Sequence, residues 1–367
     1  MQIFKKYPSF IIFILFFSGI ILGKNIKNFF LSILVFLIFL ISPFKYLTFI
    51  PLGSLHFYLN EKESKNLNYP ILLKNLNKYF KNKIEKNFES ETKEFLLTLL
   101  LGERSKLNKE NLKKFIKTGT LHFLAISGLH MAIIASIFIF FFIFLRLNFK
   151  KAMILSVLGL TFYTSIIPLR PSVLRSYIMI VSFLLTFSLN IKVHPLSILG
   201  NAGLLSLTFF PESAFDPGFH LSYLATTGII VLFPLFNKMK IKNYFLRNFL
   251  YLPFSVSLSA QLFVFPYIYF FFKNISLIAP LSNIILSPLI FLSILGGIIS
   301  LISPFGFLTE RFLIFTEITT KTIFFLLNFL SSKSIFIYTE KINYLYLSIL
   351  IFLPILTFIL KILNQKK

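Results

Sequence analysis

The chain has 367 residues, of which 56% are hydrophobic and 14% charged, and it carries a formal net charge of +24. This composition excludes an ordinary soluble domain, in which about a quarter of the residues are charged. Because the sequence contains no cysteine, it also excludes disulfides, thiolate nucleophiles and cysteine-based metal sites.

Apolar runs long enough to cross a bilayer, about 20 residues each, recur along almost the whole chain. They predict an all-α fold, a polytopic transmembrane bundle of about 10–11 spans. The predicted spans are 8–23, 29–50, 119–145, 151–168, 172–190, 195–210, 219–236, 248–272, 275–302, 309–330 and 343–362.

The distribution of charge divides the chain into three predicted regions. Residues 1–50 form a pair of transmembrane helices, residues 51–117 a polar segment rich in Lys and Glu, and residues 118–367 a multi-span domain. Within the polar segment, the apolar run Phe95–Arg104 predicts an amphipathic helix that lies on the membrane or dips into it.

The positive charge has two interpretations that the sequence leaves open. It fits a nucleic-acid partner or an anionic membrane surface. It also fits a base composition that favours Lys codons, together with Lys enrichment in cytoplasmic loops. Only six of the 37 cationic residues are arginine, so Arg170 and Arg175, which lie at the start of a span, attract more interest than the lysines.

The run Thr118–Ala132 places polar residues where a long apolar stretch begins. It contains the candidates Gly119, His122, Ser127, Gly128 and His130. Ser127 and His130 are three residues apart, which puts them on one face of a helix. Ionisable groups inside a span are costly and usually functional, so we expect a polar lining or gate. Close helix packing with histidines at the water interface is the alternative.

Arginine residues open the next candidate site. In Leu169–Ser176, Pro171 is suited to the first helical turn, which places Arg170 before the helix and Arg175 one turn inside it. An arginine inside a span faces the bundle interior or extends to the surface. Guanidinium groups bind phosphate through two parallel hydrogen bonds, so these residues are candidate phosphate contacts.

The later spans contribute further polar candidates. Asp216 precedes a helix and suits a capping role, and His220 follows it at the start of a polar stripe with Tyr223 and Thr227. Gln261 lies on the next span. Asn283 and Pro288 lie in a run with two prolines, Ile275–Leu289, which predicts a broken helix beside a cavity or simply a kinked one.

Several enzyme signatures are missing from the sequence. There is no HExxH run, no clustered His/Asp hydrolase motif and no complete phosphate-binding loop. We therefore expect no catalytic residues, no metal, no cofactor and no enzymatic activity, and any transport driven by ATP needs a separate motor.

Taken together, these runs resemble the competence domain of the ComEC family, bacterial inner-membrane proteins implicated in DNA uptake during transformation. The resemblance is carried, in the family's order, by Leu101–Ser105, Thr118–His130, Arg170–Ser176, Asp216–Ser222, Ala260–Gln261 and Ser282–Pro288. It covers roughly residues 95–305, and the set of motifs is more specific than any one of them.

This resemblance implies a multi-pass channel in the bacterial inner membrane that passes single-stranded DNA into the cytoplasm. Its DNA-pathway residues are His122, Ser127, His130, Arg170, Arg175, His220, Gln261 and Asn283, with Gly119, Gly128, Asp216 and Pro288 as structural or gating positions. The implied partners are single-stranded DNA, the lipid bilayer and a cytoplasmic helicase-like ATPase motor, and a homo-oligomer is an open alternative.

The chain departs from the larger members of that family. They carry an OB-type domain and a metallo-β-lactamase-like domain, whereas residues 51–94 are too few for a complete OB barrel and the sequence stops at Lys367. We therefore expect a short form that lacks both domains.

Two other functions stay open at this level. Ala125–Gly128 is one residue away from the Gly-x-Ser-Gly run of rhomboid proteases, so Ser127 could act as a nucleophile with His220 as its base. A transporter of another anionic solute would use the same cationic residues.

Overall fold

The computed structural model describes residue 14 and residues 71–168, 170–239, 241–272, 274–303, 306–334 and 336–338. In these residues the protein is almost wholly helical, which confirms the all-α prediction. The α-helices of this part of the chain are α1 (Ile71–Asn87), α2 (Ser90–Leu101), α3 (Lys109–Lys117), α4 (Gly128–Phe144), α5 (Phe149–Ile166), α6 (Pro171–Ser188), α7 (Pro195–Phe209), α8 (Pro217–Phe236), α9 (Leu252–Phe272), α10 (Ala279–Ile302) and α11 (Gly306–Ser332).

Shorter elements connect these helices. Single 3₁₀ turns lie at Arg104–Lys106, Leu121–Leu124 and Pro211–Phe215, and a π-helical stretch, Leu246–Tyr251, leads into α9. Two three-residue strands, β1 (Asn274–Ser276) and β2 (Phe336–Tyr338), pair antiparallel with Ile275 opposite Ile337.

The helices identify a membrane protein. Four segments are long and apolar enough to cross a bilayer: Pro217–Phe236, Leu246–Tyr269, Ala279–Ile302 and Gly306–Ser332. Gly128–Phe144, Ser172–Ser188 and Pro195–Phe209 are shorter apolar helices. The predicted spans 8–23, 29–50 and 343–362 lie outside the described residues, so the total number of spans stays a prediction.

The described residues belong to two compact units. Residue 14 and residues 170–227 belong to the first, and residues 71–168 and 228–338 to the second. The first unit pairs α6 with α7, and α7 continues through the 3₁₀ turn Pro211–Phe215 to the start of α8.

Helix α2 is deeply buried in the second unit. Eight of its 12 residues are buried, and Phe95, Leu96 and Leu99 have no exposed surface. It packs on α10 and α11, where a Cβ on Gly297 would lie 3.0 Å from Cδ2 of Leu96. Protein rather than lipid therefore covers its apolar side chains, and the prediction that Phe95–Arg104 lies on the membrane or dips into it stays a prediction.

The N-terminus of α2 takes its cap from α11. Its own N-cap residue, Glu89, makes no side-chain capping bond. Instead, the two carboxylate oxygens of Glu317 accept the N–H of Glu89 at 2.8 Å and the hydroxyl of Thr92 at 2.7 Å. Below this contact the rings of Phe95, Phe115 and Phe324 pack together, with centroids 5.3 to 6.4 Å apart. Glu317 thus joins a free helix end to a distant helix.

Helix α1 is held at the C-terminal end of α10. Lys83 Nζ donates to the carbonyl of Leu301 at 2.7 Å, which satisfies an acceptor that the last turn of a helix leaves free. Lys81 forms an ion pair with Glu103 at 2.9 Å. Asn77 donates to the carbonyl of Ile166 at 2.9 Å, so the same helix also contacts the end of α5.

A sharp turn at Gly119 separates α3 from the segment that follows. Gly119 has a φ of 69° and is preceded by Thr118, whose hydroxyl lies 2.7 Å from that of Thr120. A Cβ on Gly119 would lie 2.4 Å from Cβ of Ala279. The predicted span 119–145 therefore begins too early, since this turn delays α4 until Gly128.

We expect Gly119→Ala to lower the free energy of unfolding by about 2–4 kcal/mol, because a side chain there meets both left-handed strain and overpacking. The measurement is unfolding in a detergent–denaturant titration. Gly128→Ala is the matched control, since a Cβ at that position meets nothing within 4 Å. Equal stability of the two variants would contradict the proposed close contact.

We also expect Glu317→Ala to lower the unfolding free energy by about 1–3 kcal/mol, because it leaves the hydroxyl of the buried Thr92 and the N–H of Glu89 without this acceptor. Glu310→Ala, at an exposed position of the same helix, should change stability little. Hydrogen exchange at the N-terminus of α2 should increase in the first variant alone. Unchanged exchange there would show that the cap is dispensable.

Candidate functional site

Ser127 and His130 form the start of α4. Ser127 is extended, with φ −121° and ψ 178°, and occupies the N-cap position rather than the helix itself. Its N–H donates to Nδ1 of His130 at 3.3 Å, and its Oγ lies 3.0 Å from the same nitrogen. The two side chains therefore interact as a capping pair, not as neighbours on a helix face.

This geometry defines the chemistry of His130. Because Nδ1 accepts a backbone N–H, the neutral imidazole carries its proton on Nε2. The residue has no exposed surface, and Nε2 has no hydrogen-bond partner among the described residues. A buried donor of this kind is available to water or to an anionic oxygen.

His122 lies in a different environment from His130. It belongs to the 3₁₀ turn Leu121–Leu124, is exposed, and contacts the ring of Phe123 with centroids 4.3 Å apart. It lies on the segment between Gly119 and Ser127, before α4 begins. The structure therefore places His122, exposed, on the connecting segment and His130, buried, in the first turn of α4.

A polar chain links α9 to α10 in the second unit. The Oγ of Ser257 accepts from Nδ2 of Asn283 at 2.8 Å and from Nε2 of Gln261 at 3.4 Å. Asn283 Oδ1 and the hydroxyl of the neighbouring Ser282 are buried without partners among the described residues. Gln261 and Asn283 are thus brought together through Ser257, and unsatisfied polar atoms remain beside them.

The helix that carries Asn283 is continuous. The sequence suggested a broken helix around Pro288, but α10 runs unbroken from Ala279 to Ile302 with Pro288 inside it. Pro280 falls in the first turn, where a proline costs little. The Ser287 hydroxyl donates to the Asn283 carbonyl, in the turn that precedes Pro288. A broken helix here is therefore wrong.

Arg175 is the buried cation of the first unit. It lies on α6 with 6% of its surface exposed. Its Nη1 donates to Thr226 at 3.4 Å and its Nη2 to Ser176 at 3.3 Å, while the guanidinium lies 5.6 Å from the ring centroid of Tyr223. No carboxylate of the described residues lies within ion-pair distance, and Nε has no partner among them.

The other candidates of the first unit have simpler surroundings. Arg170 is exposed at the N-cap position of α6. His220 Nε2 lies 2.6 Å from the carbonyl of Ala214 and donates to it. Asp216 Oδ1 accepts the N–H of Gly218 at 3.1 Å, so this carboxylate caps α8.

Some of the site was not visible in the sequence. Thr226 and Ser176 contact Arg175, whereas the predicted stripe contained Thr227, whose hydroxyl donates within its own helix to Tyr223. Thr226 lies four residues after Ser222, on the same helix face, and this spacing could have marked it as a candidate. A hydroxyl residue on an apolar helix is, however, only a weak sign of a functional site.

Two further observations concern the chemistry of these residues. Ser127 interacts with His130, and His220 Nε2 donates to the carbonyl of Ala214. Among the described residues no group of three His, Asp or Glu side chains is arranged to hold a metal ion. The described candidates are buried polar atoms in the second unit and a buried cation in the first.

Sequence comparison with known proteins finds relatives of this chain. ComE operon protein 3 of Bacillus subtilis (strain 168) is 28% identical over 253 residues, 67% of this chain and 31% of that protein. An uncharacterized protein of Aquifex aeolicus (strain VF5) is 30% identical over 244 residues, 65% of this chain and 54% of the relative. The chain therefore spans less than two thirds of the length of either relative. No solved structure matches it.

The family assignment rests on a longer match. The sequence fits the family described as Competence protein over residues 99–364, which include the turn at Gly119, the start of α4 and the buried Arg175. This match covers more than half of the sequence, and it confirms the resemblance to ComEC seen in the motifs. The chain belongs to the competence protein family.

Proposed function

We propose that this protein forms the membrane channel through which single-stranded DNA passes into the cytoplasm during natural transformation. It acts as a multi-pass protein of the bacterial inner membrane. The observation that carries the proposal is the burial of Arg175 without a carboxylate partner among the described residues of a competence-family protein.

The physical requirement comes from the substrate. A strand with one phosphate per nucleotide needs a hydrated path with cationic and hydrogen-bonding groups, because an uncompensated charge in a bilayer is costly. A buried arginine without a counter-charge is itself unfavourable. When a phosphate passes Arg175, the phosphate and the guanidinium compensate each other's charge. The planar guanidinium offers two parallel donors for this contact.

The surroundings of Arg175 suit transient rather than permanent binding. Its hydrogen bonds to Thr226 and Ser176 are long, at 3.4 and 3.3 Å, so a phosphate oxygen can replace them at small cost. The ring of Tyr223 supports the guanidinium from one side. A contact that forms and breaks easily is what conduction along a strand requires.

In the second unit, unsatisfied polar atoms are further candidate contacts for the strand. They are Nε2 of His130, Oδ1 of Asn283 and Oγ of Ser282, together with the Gln261 amide. The exposed side chains of Arg170, in the first unit, and His122, in the second, are also candidate contacts. No described residues form an ATPase motif, so a cytoplasmic helicase-like ATPase supplies the work, and the channel acts alone or as a homo-oligomer.

Replacing Arg175 provides the direct test. The assay measures nuclease protection of labelled single-stranded DNA in liposomes that carry the purified protein, under an inward driving force. We expect Arg175→Gln to reduce protection strongly and Arg175→Lys to restore part of it, because the ammonium keeps the charge but loses the paired donors. Arg146→Gln, an exposed arginine outside both sites, should leave uptake unchanged.

Salt dependence separates binding from folding in the same variants. If Arg175 contacts a phosphate, the slope of log affinity for an oligothymidylate against log salt should fall by about 0.7 in Arg175→Gln. Equal loss of folded protein and of uptake, with the salt slope unchanged, would reject the assigned role. Competition by a small organic anion but not by the oligonucleotide would instead indicate a transporter of another anionic solute.

Ser127 should be dispensable as a nucleophile. We expect no labelling by a fluorophosphonate probe, and we expect Ser127→Asn and Ser127→Thr to keep DNA uptake, because these residues also cap helices. Ser127→Ala should lose about 1 kcal/mol of stability with the cap. Labelling that disappears in Ser127→Ala would favour the intramembrane protease alternative.

A further inference from the structure

Two charged residues lie near the middle of the membrane-length helix α11. At a rise of about 1.5 Å per residue, Glu317 lies about 16 Å after the start of the helix, and Lys321 lies about 16 Å before its end. The hydrocarbon core of a bilayer is about 30 Å thick. Charges at such positions are costly when they face lipid, by about 3 kcal/mol for lysine near the centre.

These charges contact the polar segment rather than another membrane helix. Lys321 Nζ lies 2.7 Å from the carboxylate of Glu89, and their side chains are 57% and 68% exposed. Glu91 and Glu317 also act electrostatically on Lys321. The Glu89–Lys321 ion pair is therefore largely exposed, and the carboxylates of Glu91 and Glu317 also act on it. This layer of charged side chains is not covered by protein.

The depth of this layer follows from the contacts of α10. Ser293 and Thr320 hydroxyls are 3.1 Å apart, and a Cβ on Gly296 would meet the hydroxyl of Thr316. Glu317 is therefore level with the interior of α10 and not with its end. The ion pair lies at the same depth.

The polar segment follows α10 from one end to the other. Lys83 bonds to Leu301 at the C-terminal end, while the carbonyl of Lys117 accepts from Ser276, next to the N-terminal end, at 2.7 Å. Helix α10 is about 36 Å long. Residues 83–119 thus extend through the depth that α10 crosses, and they carry exposed charges at positions that include Lys109 and Lys113 of α3.

We propose that α2 and α11 line a water-filled recess that reaches the middle of the membrane, here defined by Glu89, Glu91, Glu317 and Lys321. Water solvates the exposed charges that lipid would not. Since the carboxylate of Glu89 pairs with Lys321, and those of Glu91 and Glu317 act on it electrostatically, the inner part of the recess admits water and small cations rather than a polyanion. The recess does not depend on the identity of the transported substrate.

Cysteine accessibility tests the recess, and the natural sequence offers a cysteine-free background. Single variants Lys321→Cys and Glu91→Cys are reconstituted in liposomes and treated with membrane-impermeant methanethiosulfonates on both sides. Ile318→Cys is the matched control, because Ile318 is 59% exposed and lies on the same turn of α11 as Lys321, about 60° further round the helix.

Both recess variants should react at least about ten times faster than Ile318→Cys, because lipid excludes the reactive thiolate. At Lys321→Cys, the cationic reagent should react faster than the anionic one. Failure of both recess variants to react would overturn the proposal. An equal rate at Ile318→Cys would also overturn it, because this part of α11 would then lie outside the membrane. Faster reaction of the anionic reagent would overturn the assignment of small cations.

Glu91→Cys keeps the test valid if the loss of the Glu89 ion pair prevents Lys321→Cys from folding, because Glu91 is exposed and lies outside that pair. The outcome is also separate from DNA transport. A protein that fails to conduct DNA can still show this reactivity pattern, and a DNA channel without the recess would lack it.

Discussion

The carboxylate of Glu317 is the contact on which the second unit depends. Helix α2 has no cap of its own, and most of its residues are buried. Its free N–H groups need an acceptor, and the nearest side chain that supplies one comes from a helix more than 200 residues later. Through this contact a segment that reads as polar in the sequence becomes part of the interior of a membrane protein.

Similar end-of-helix contacts organise the candidate site. His130 caps the start of α4, Asp216 caps α8, and Lys83 binds the last turn of α10. In each case a titratable side chain satisfies backbone groups that a bilayer cannot. Arg175 and His130 differ from this pattern, since Nε of Arg175 and Nε2 of His130 are buried nitrogens without a hydrogen-bond partner among the described residues.

Much of the fold was predictable because it follows from local pattern. Apolar runs gave the helices from α4 onward, and Pro171 and Asp216 marked helix starts that the structure contains. The sequence failed where a distant partner decides the outcome. The burial of α2 depends on α10 and α11, and the delayed start of α4 depends on a turn at Gly119 that faces Ala279. The neighbours of Arg175 come from α8, 51 residues away for Thr226, and no local spacing reveals such a pairing.

The turn at Gly119 has a mechanical consequence. A Cβ there would lie 2.4 Å from that of Ala279, and Ser276 is bonded to the carbonyl of Lys117. Two backbones in such close contact have no room to slide past each other, so they move as one body. A tilt of the first turn of α10 therefore also moves the segment that carries His122 and Ser127, and with it the start of α4.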